Sequence, residues 1–211
     1  MKHALMLAAA AAALSLAACS KSANHAQGAA SNATDSTGAA VSKAEDAAGA
    51  AVGAASANTL GVMSTDVFVS NLTESDMYEI KAAQIAEQRS KDPEVKAFAA
   101  LMVKDHTAMD SDMRPKIDAA AQQPATELDK RRSGFIDHLN STSAADFDKT
   151  YIDQQVSGHQ EALDLLKGYA DHGPDAILKD AAGKAIPTVQ AHLDKAKALQ
   201  AKLSSSTKAS G

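Results

Sequence analysis

From Ser64 to about Leu203, large apolar residues recur three and four positions apart, the spacing that lines one face of an α-helix. Four stripes can be traced: Phe68, Leu72, Ser75, Ala82 and Ala86; Val95, Phe98, Met102, Met109 and Met113; Ile152, Val156, Leu163 and Leu166; and Leu178, Ala181, Ala185, Thr188, Ala196, Leu199 and Leu203. Alternating β-branched runs are nearly absent, which argues against strands. Helix starts are marked by Asp92-Pro93, where a carboxylate can cap free amides and the proline ring already holds a helical φ, and by Ser143 with Asp146 three residues on. His172-Gly173-Pro174 reads as a stop and restart. The pattern predicts helices over 65–90, 92–121, 143–172 and 174–203, with Thr73 and Asp76 offering a second start for the first. Pro124 breaks the connection over 122–142, where 126–139 can form a shorter helix burying Leu128, Phe135 and Ile136. Tight turns make antiparallel neighbours, so two helical hairpins joined by a crossover are expected: an all-α four-helix bundle with a short extra helix between helices 2 and 3.

Each stripe is interrupted by one ionisable residue: Glu79 in the first helix, His106 in the second, His159 in the third and His192 in the fourth. In an antiparallel hairpin two residues lie level when their midpoint falls in the turn. Glu79 and His106 are centred near Asp92-Pro93, and His159 and His192 near Asp175, so each pair is level within its hairpin. The relative height of the two hairpins does not follow from this. Three imidazoles and a carboxylate at one depth would suit a single transition-metal ion: Zn, Cu, Ni or Fe. Asp105 and Asp110 flank His106 and could accept hydrogen bonds from ligating imidazoles. The alternative is a buried hydrogen-bond network with Glu79 pairing a histidine. Valines at 103, 156 and 189 stand where di-iron bundles place the glutamate of Glu-x-x-His, which disfavours an oxygen-activating di-iron centre. Met102, Met109 and Met113 have the spacing of core packing rather than of copper ligands. His25, His138 and His172 are expected to be exposed or at a helix end.

Before the helical segment the sequence changes character. Met1-Lys2-His3 is followed by an uncharged Ala/Leu-rich run to Ala18, too short to span a bilayer and laid out like a signal peptide over 1–18. Leu16-Ala17-Ala18-Cys19 resembles the lipobox of bacterial lipoproteins, which implies cleavage before Cys19, acylation there and a lipid anchor in the membrane. By that resemblance Ser20 favours the outer membrane, facing the periplasm. Residues 19–63 are rich in Ala, Ser and Gly and cannot build a core, so a flexible tether is expected, and residues 204–211 read as a disordered tail. Cys19 is the sole cysteine, leaving no thiol for a disulfide or a zinc-thiolate site. A net charge of −5 with no Lys/Arg block argues against nucleic acid as a partner.

Several stretches resemble the bacterial domain-of-unknown-function family 4142: Glu79-Ile80, the run Asp92-Pro93-Glu94-Val95-Lys96-Ala97-Phe98-Ala99, Met102-Val103-Lys104-Asp105-His106-Thr107, Phe147-Asp148-Lys149-Thr150-Tyr151, Val156-Ser157-Gly158-His159, and Ile186-Pro187-Thr188-Val189-Gln190-Ala191-His192-Leu193. Asp110, Met113 and Ile186 depart from the family's pattern. The resemblance implies a ferritin-like fold and export to the envelope, but no reaction. Three function classes remain. One is an envelope module that binds a metal ion or small ligand through the Glu/His cluster, in storage or stress defence. The second is a structural or interaction module with an envelope protein partner. The third, an enzyme, is the weakest, because there is no nucleophile with a base and no pair of carboxylates at bundle-metal spacing.

Overall fold

A computed structural model describes residues 64–209; the segment 1–18, Cys19 and the expected tether to residue 63 lie outside the described residues. The described residues are all-helical: α1 Thr65–Arg89, α2 Pro93–Ala119, α3 Lys130–Ser141, α4 Phe147–His172 and α5 Ala176–Ala209. None of these helices is long and apolar enough to cross a membrane.

Local signals account for the ends. The Asp92 carboxylate accepts from the amides of Glu94 (2.7 Å) and Val95 (3.3 Å), and Pro93 opens α2 as expected. Asp129 caps α3 through Arg132 N–H (2.6 Å), and Asp175 caps α5 through Leu178 N–H (2.9 Å), so α5 begins after the proline and not at it. The Ser143–Asp146 pairing forms, with the Ser143 hydroxyl donating at 2.7 Å, but it closes a turn ahead of α4, which starts at Phe147. Thr73 is no cap. It lies inside α1 and donates to Val69 O at 2.8 Å. The end of α2 is closed by Gln122 N–H to Ile117 O (3.1 Å) and Ala121 N–H to Asp118 O (3.0 Å), which requires Ala121 at φ 55, a left-handed conformation that glycine would hold with less strain. Helix α5 continues through Pro187 and past Leu203 to Ala209, where a tail was expected; the Ser204 hydroxyl folds back onto Gln200 O at 2.8 Å in its last turns.

The long helices form a closed ring of neighbours: α1 packs on α2, α2 on α5, α5 on α4 and α4 on α1. Direction follows from contacts. Phe68 near the start of α1 stacks on Tyr169 near the end of α4, whereas Tyr78 further along α1 donates to Gln154 at 2.9 Å, so α1 and α4 are antiparallel. Glu94 with Lys202 and Asp105 with His192 give the same relation for α2 and α5. Every neighbouring pair is therefore antiparallel, and α2 and α4, joined through α3, run in the same direction.

Helix α3 is tied to this ring by charge as much as by apolar burial. Arg132, 6% exposed, reaches Glu74 of α1 at 3.0 Å, and Arg89 at the end of α1 donates to carbonyls at and just past the end of α3, including Asn140 O (3.0 Å) and Thr142 O (2.6 Å). Leu139 is the fully buried apolar residue of α3; Leu128, Phe135 and Ile136, expected to be buried, are only half covered at its rim.

The core divides into two apolar layers. One contains Phe68, Leu72, Met113, Ile117, Leu163, Leu166 and Leu178. The other contains Ala82, Ala86, Val95, Phe98, Met102, Tyr151 and Ile152. Each long helix also buries polar side chains beside these layers.

Candidate metal centre

The intervening layer contains Asp76 and Glu79 on α1, His106 on α2, Gln155 and His159 on α4, and His192 on α5, all 4% exposed or less. The same 3.6-residue periodicity that buries their apolar neighbours faces them inward. One ring nitrogen from each of His106, His159 and His192 lies within 4.8 Å of the other two. The rings stand around a common centre, with centroids 5.5, 5.4 and 5.4 Å apart. The two hairpins thus meet in register, the point that sequence spacing left open.

Each imidazole is held by one nitrogen and leaves the other bare. His106 donates Nδ1–H to Asp76 Oδ1 at 2.8 Å, His159 donates Nδ1–H to the backbone oxygen of Gln155 at 2.9 Å, and His192 donates Nε2–H to Asp105 Oδ2 at 3.0 Å. His106 Nε2, His159 Nε2 and His192 Nδ1 are buried and have no hydrogen-bond partner. In a neutral ring the proton sits on the bonded nitrogen, and the bare nitrogen presents a lone pair. A carboxylate or carbonyl behind each imidazole is the arrangement that orients metal-bound histidine and raises its basicity.

Of the residues expected at the site, Asp105 reaches His192, but Asp110 is turned to the surface and accepts from Arg114 at 2.8 Å, an i,i+4 pair. Glu79 is buried in this layer yet stands outside the converging group. Its Oε2 accepts from Gln155 Nε2 at 2.6 Å, and its Oε1 lies 3.8 Å from His159 Nδ1, the nitrogen already engaged with Gln155. Gly158 makes room for it, since a Cβ there would stand 2.9 Å from Glu79 Oε1. Sequence spacing missed Asp76 and Gln155. Asp76 adjoins Ser75 in the α1 stripe and was paired with Thr73 as a cap; Gln155 sits one helical turn before His159, a signal that was present.

The electrostatics keep two of the three imidazoles neutral. Burial pushes His159 down to about 3, with the neighbouring His106 charge adding to the effect. Burial likewise lowers His192 to about 4, against the pull of Asp105. Burial also opposes charge on His106, but the hydrogen bond and charge of Asp76 outweigh it and hold this imidazole above its usual value. Burial raises Asp76 and Glu79 above the ordinary carboxylate range. Asp105, nearer the surface, is held below it by His192 and Lys104 despite partial burial. Neutral imidazoles are the form that ligates metal.

The model of a family described as "Domain of unknown function (DUF4142)" matches residues 48–199. This chain belongs to the DUF4142 family. The three histidines, Asp76, Gln155 and Asp105 all fall within the matched segment. No curated protein matches the chain. Among solved structures, a crystal structure of a DUF305 fragment from Deinococcus radiodurans is similar, with a TM-score of 0.57 and 12% identity over 64% of this chain and 93% of that one, a likeness of fold alone.

Proposed function

We propose that this DUF4142 protein binds one transition-metal ion, Zn, Cu, Ni or Fe, through His106 Nε2, His159 Nε2 and His192 Nδ1. The observation that supports this reading is that three converging histidines each carry a buried ring nitrogen without a hydrogen-bond partner. Leaving a buried acceptor unpaired costs about 1–3 kcal/mol, so a layer built only as a hydrogen-bond network has no reason to leave three bare and facing one another. Nitrogen donors suit these borderline metals and disfavour Mg and Ca, which take oxygen. Asp76, Asp105 and the Gln155 carbonyl orient the rings.

The surrounding ring of antiparallel long helices, with the crossover joining two that run in the same direction, supports a ferritin-like four-helix bundle as the scaffold. The lipobox-like Leu16-Ala17-Ala18-Cys19 supports an outer-membrane lipoprotein, anchored at Cys19, whose bundle handles metal in the periplasm during envelope stress.

The test is metal content and thermal shift of the chelator-treated protein. A binding ion raises stability by about 4 kcal/mol when present at a thousand times its Kd. We expect one ion per chain and a rise in Tm of several degrees with at least one of the four metals, abolished in the His106→Gln/His159→Gln/His192→Gln variant. No rise, or an equal rise in that variant, returns the layer to a purely structural role, with an envelope protein partner as the remaining function.

A further inference from the structure

We infer that the bound ion keeps one coordination position that the protein does not fill, and that this position takes water or a small exogenous anion. The inference rests on the metal-binding reading and concerns what completes the ion's shell. Zn and its neighbours take at least four donors, and three nitrogens with one open position is the arrangement of sites that present the ion to an outside ligand.

Among the described residues, the group of His, Cys, Asp and Glu donors that converges on this point is the three histidines. Every nearby carboxylate is engaged elsewhere. Asp76 and Asp105 accept from the far nitrogens of His106 and His192. Glu79, expected from its spacing to be the fourth ligand, accepts from Gln155 through Oε2 and faces the engaged nitrogen of His159 through Oε1.

Two further polar groups point to a small occupant. Gln155 Oε1 and the Tyr151 hydroxyl are buried with no hydrogen-bond partner, and both residues are 0% exposed. They stand one and two helical turns before His159 on the same face of α4, Gln155 in the polar layer and Tyr151 in the adjoining apolar one, so polar capacity beside the histidines exceeds what the side chains use. The histidines are 1–3% exposed, so a ligand at this position is buried with the ion.

Cobalt(II) substitution reads this directly, because its visible bands report coordination number and ligand exchange. We expect the cobalt-loaded protein to give a saturable spectral change on titration with azide, and Glu79→Gln to give the same change. A cobalt spectrum that azide does not alter in the wild type overturns the open position, and if Glu79→Gln then gains a response, Glu79 is the fourth ligand. Failure of cobalt to bind at all, shown by metal content, sinks the metal reading itself and is thereby distinct from a closed shell.

Discussion

Phe68, Leu166 and Leu178 in one apolar layer, and Phe98, Tyr151 and Ile152 in the other, are 0–1% exposed, and the histidines between them are scarcely more so at 1–3%. Equal burial conceals opposite energetics. In the apolar layers each removed square ångström of apolar surface is favourable, at about 25 cal/mol, and aliphatic and phenyl side chains need nothing further from their neighbours. In the polar layer each group loses water and must recover hydrogen bonds, and several atoms do not. The apolar layers hold the helices in register, and the layer between them carries a desolvation cost that the proposed ion would offset.

The comparison can be broken at four points. The largest effect belongs to packing. Phe98→Ala in the apolar layer should destabilise the metal-free protein by about 3–5 kcal/mol in a denaturant titration, and adding metal should leave that difference unchanged unless the layers are coupled through the contact of Phe98 with His159, whose ring centroids lie 6.4 Å apart. Next, Asp76→Asn removes the charge behind His106 while keeping an acceptor. Calorimetry should show metal affinity falling about 10- to 100-fold, and an unchanged affinity would mean that Asp76 serves the fold alone.

The third concerns pH. His159 has a folded pKa of about 3 against an ordinary 6.5, so its neutral burial contributes stability that is fully present above 6.5 and is lost as pH falls toward 3. The metal-free protein should therefore lose on the order of 1 kcal/mol per pH unit more than His159→Gln does between pH 6.5 and 4, measured as the difference of their Tm profiles. Parallel profiles would show that folding does not shift the His159 titration. The smallest effect is Asp110→Ala, which breaks an exposed pair with Arg114: stability should change by no more than about 0.5 kcal/mol and metal affinity not at all.

Much of this architecture is written in local signals. Three- and four-residue spacing placed the four long helices, and Asp92-Pro93 marked the start of α2 within a residue. His106, His159 and His192 stood out because each interrupts an apolar stripe, and the midpoint argument placed His159 and His192 level across their hairpin. What escaped was long-range. Glu79 satisfies the same spacing rule as the histidines, yet its side chain turns to Gln155, a partner 76 positions away. Asp76 reads along the chain as the partner of a Thr73 cap three positions before it, and only the approach of α2 gives it to His106, 30 positions on. Asp105 and Asp110 looked equivalent beside His106, but they sit on different sides of α2, one against α5 and one above Arg114. Pairings across helices depend on crossing and rotation, which periodicity along one chain segment does not encode.

The most direct measurement is X-ray absorption at the metal edge of the zinc-loaded protein. Three imidazole nitrogens at about 2.0–2.1 Å with a single light atom completing the shell is the predicted result. A shell of oxygens only, as from adventitious surface binding, or zinc that washes away on desalting, would contradict it.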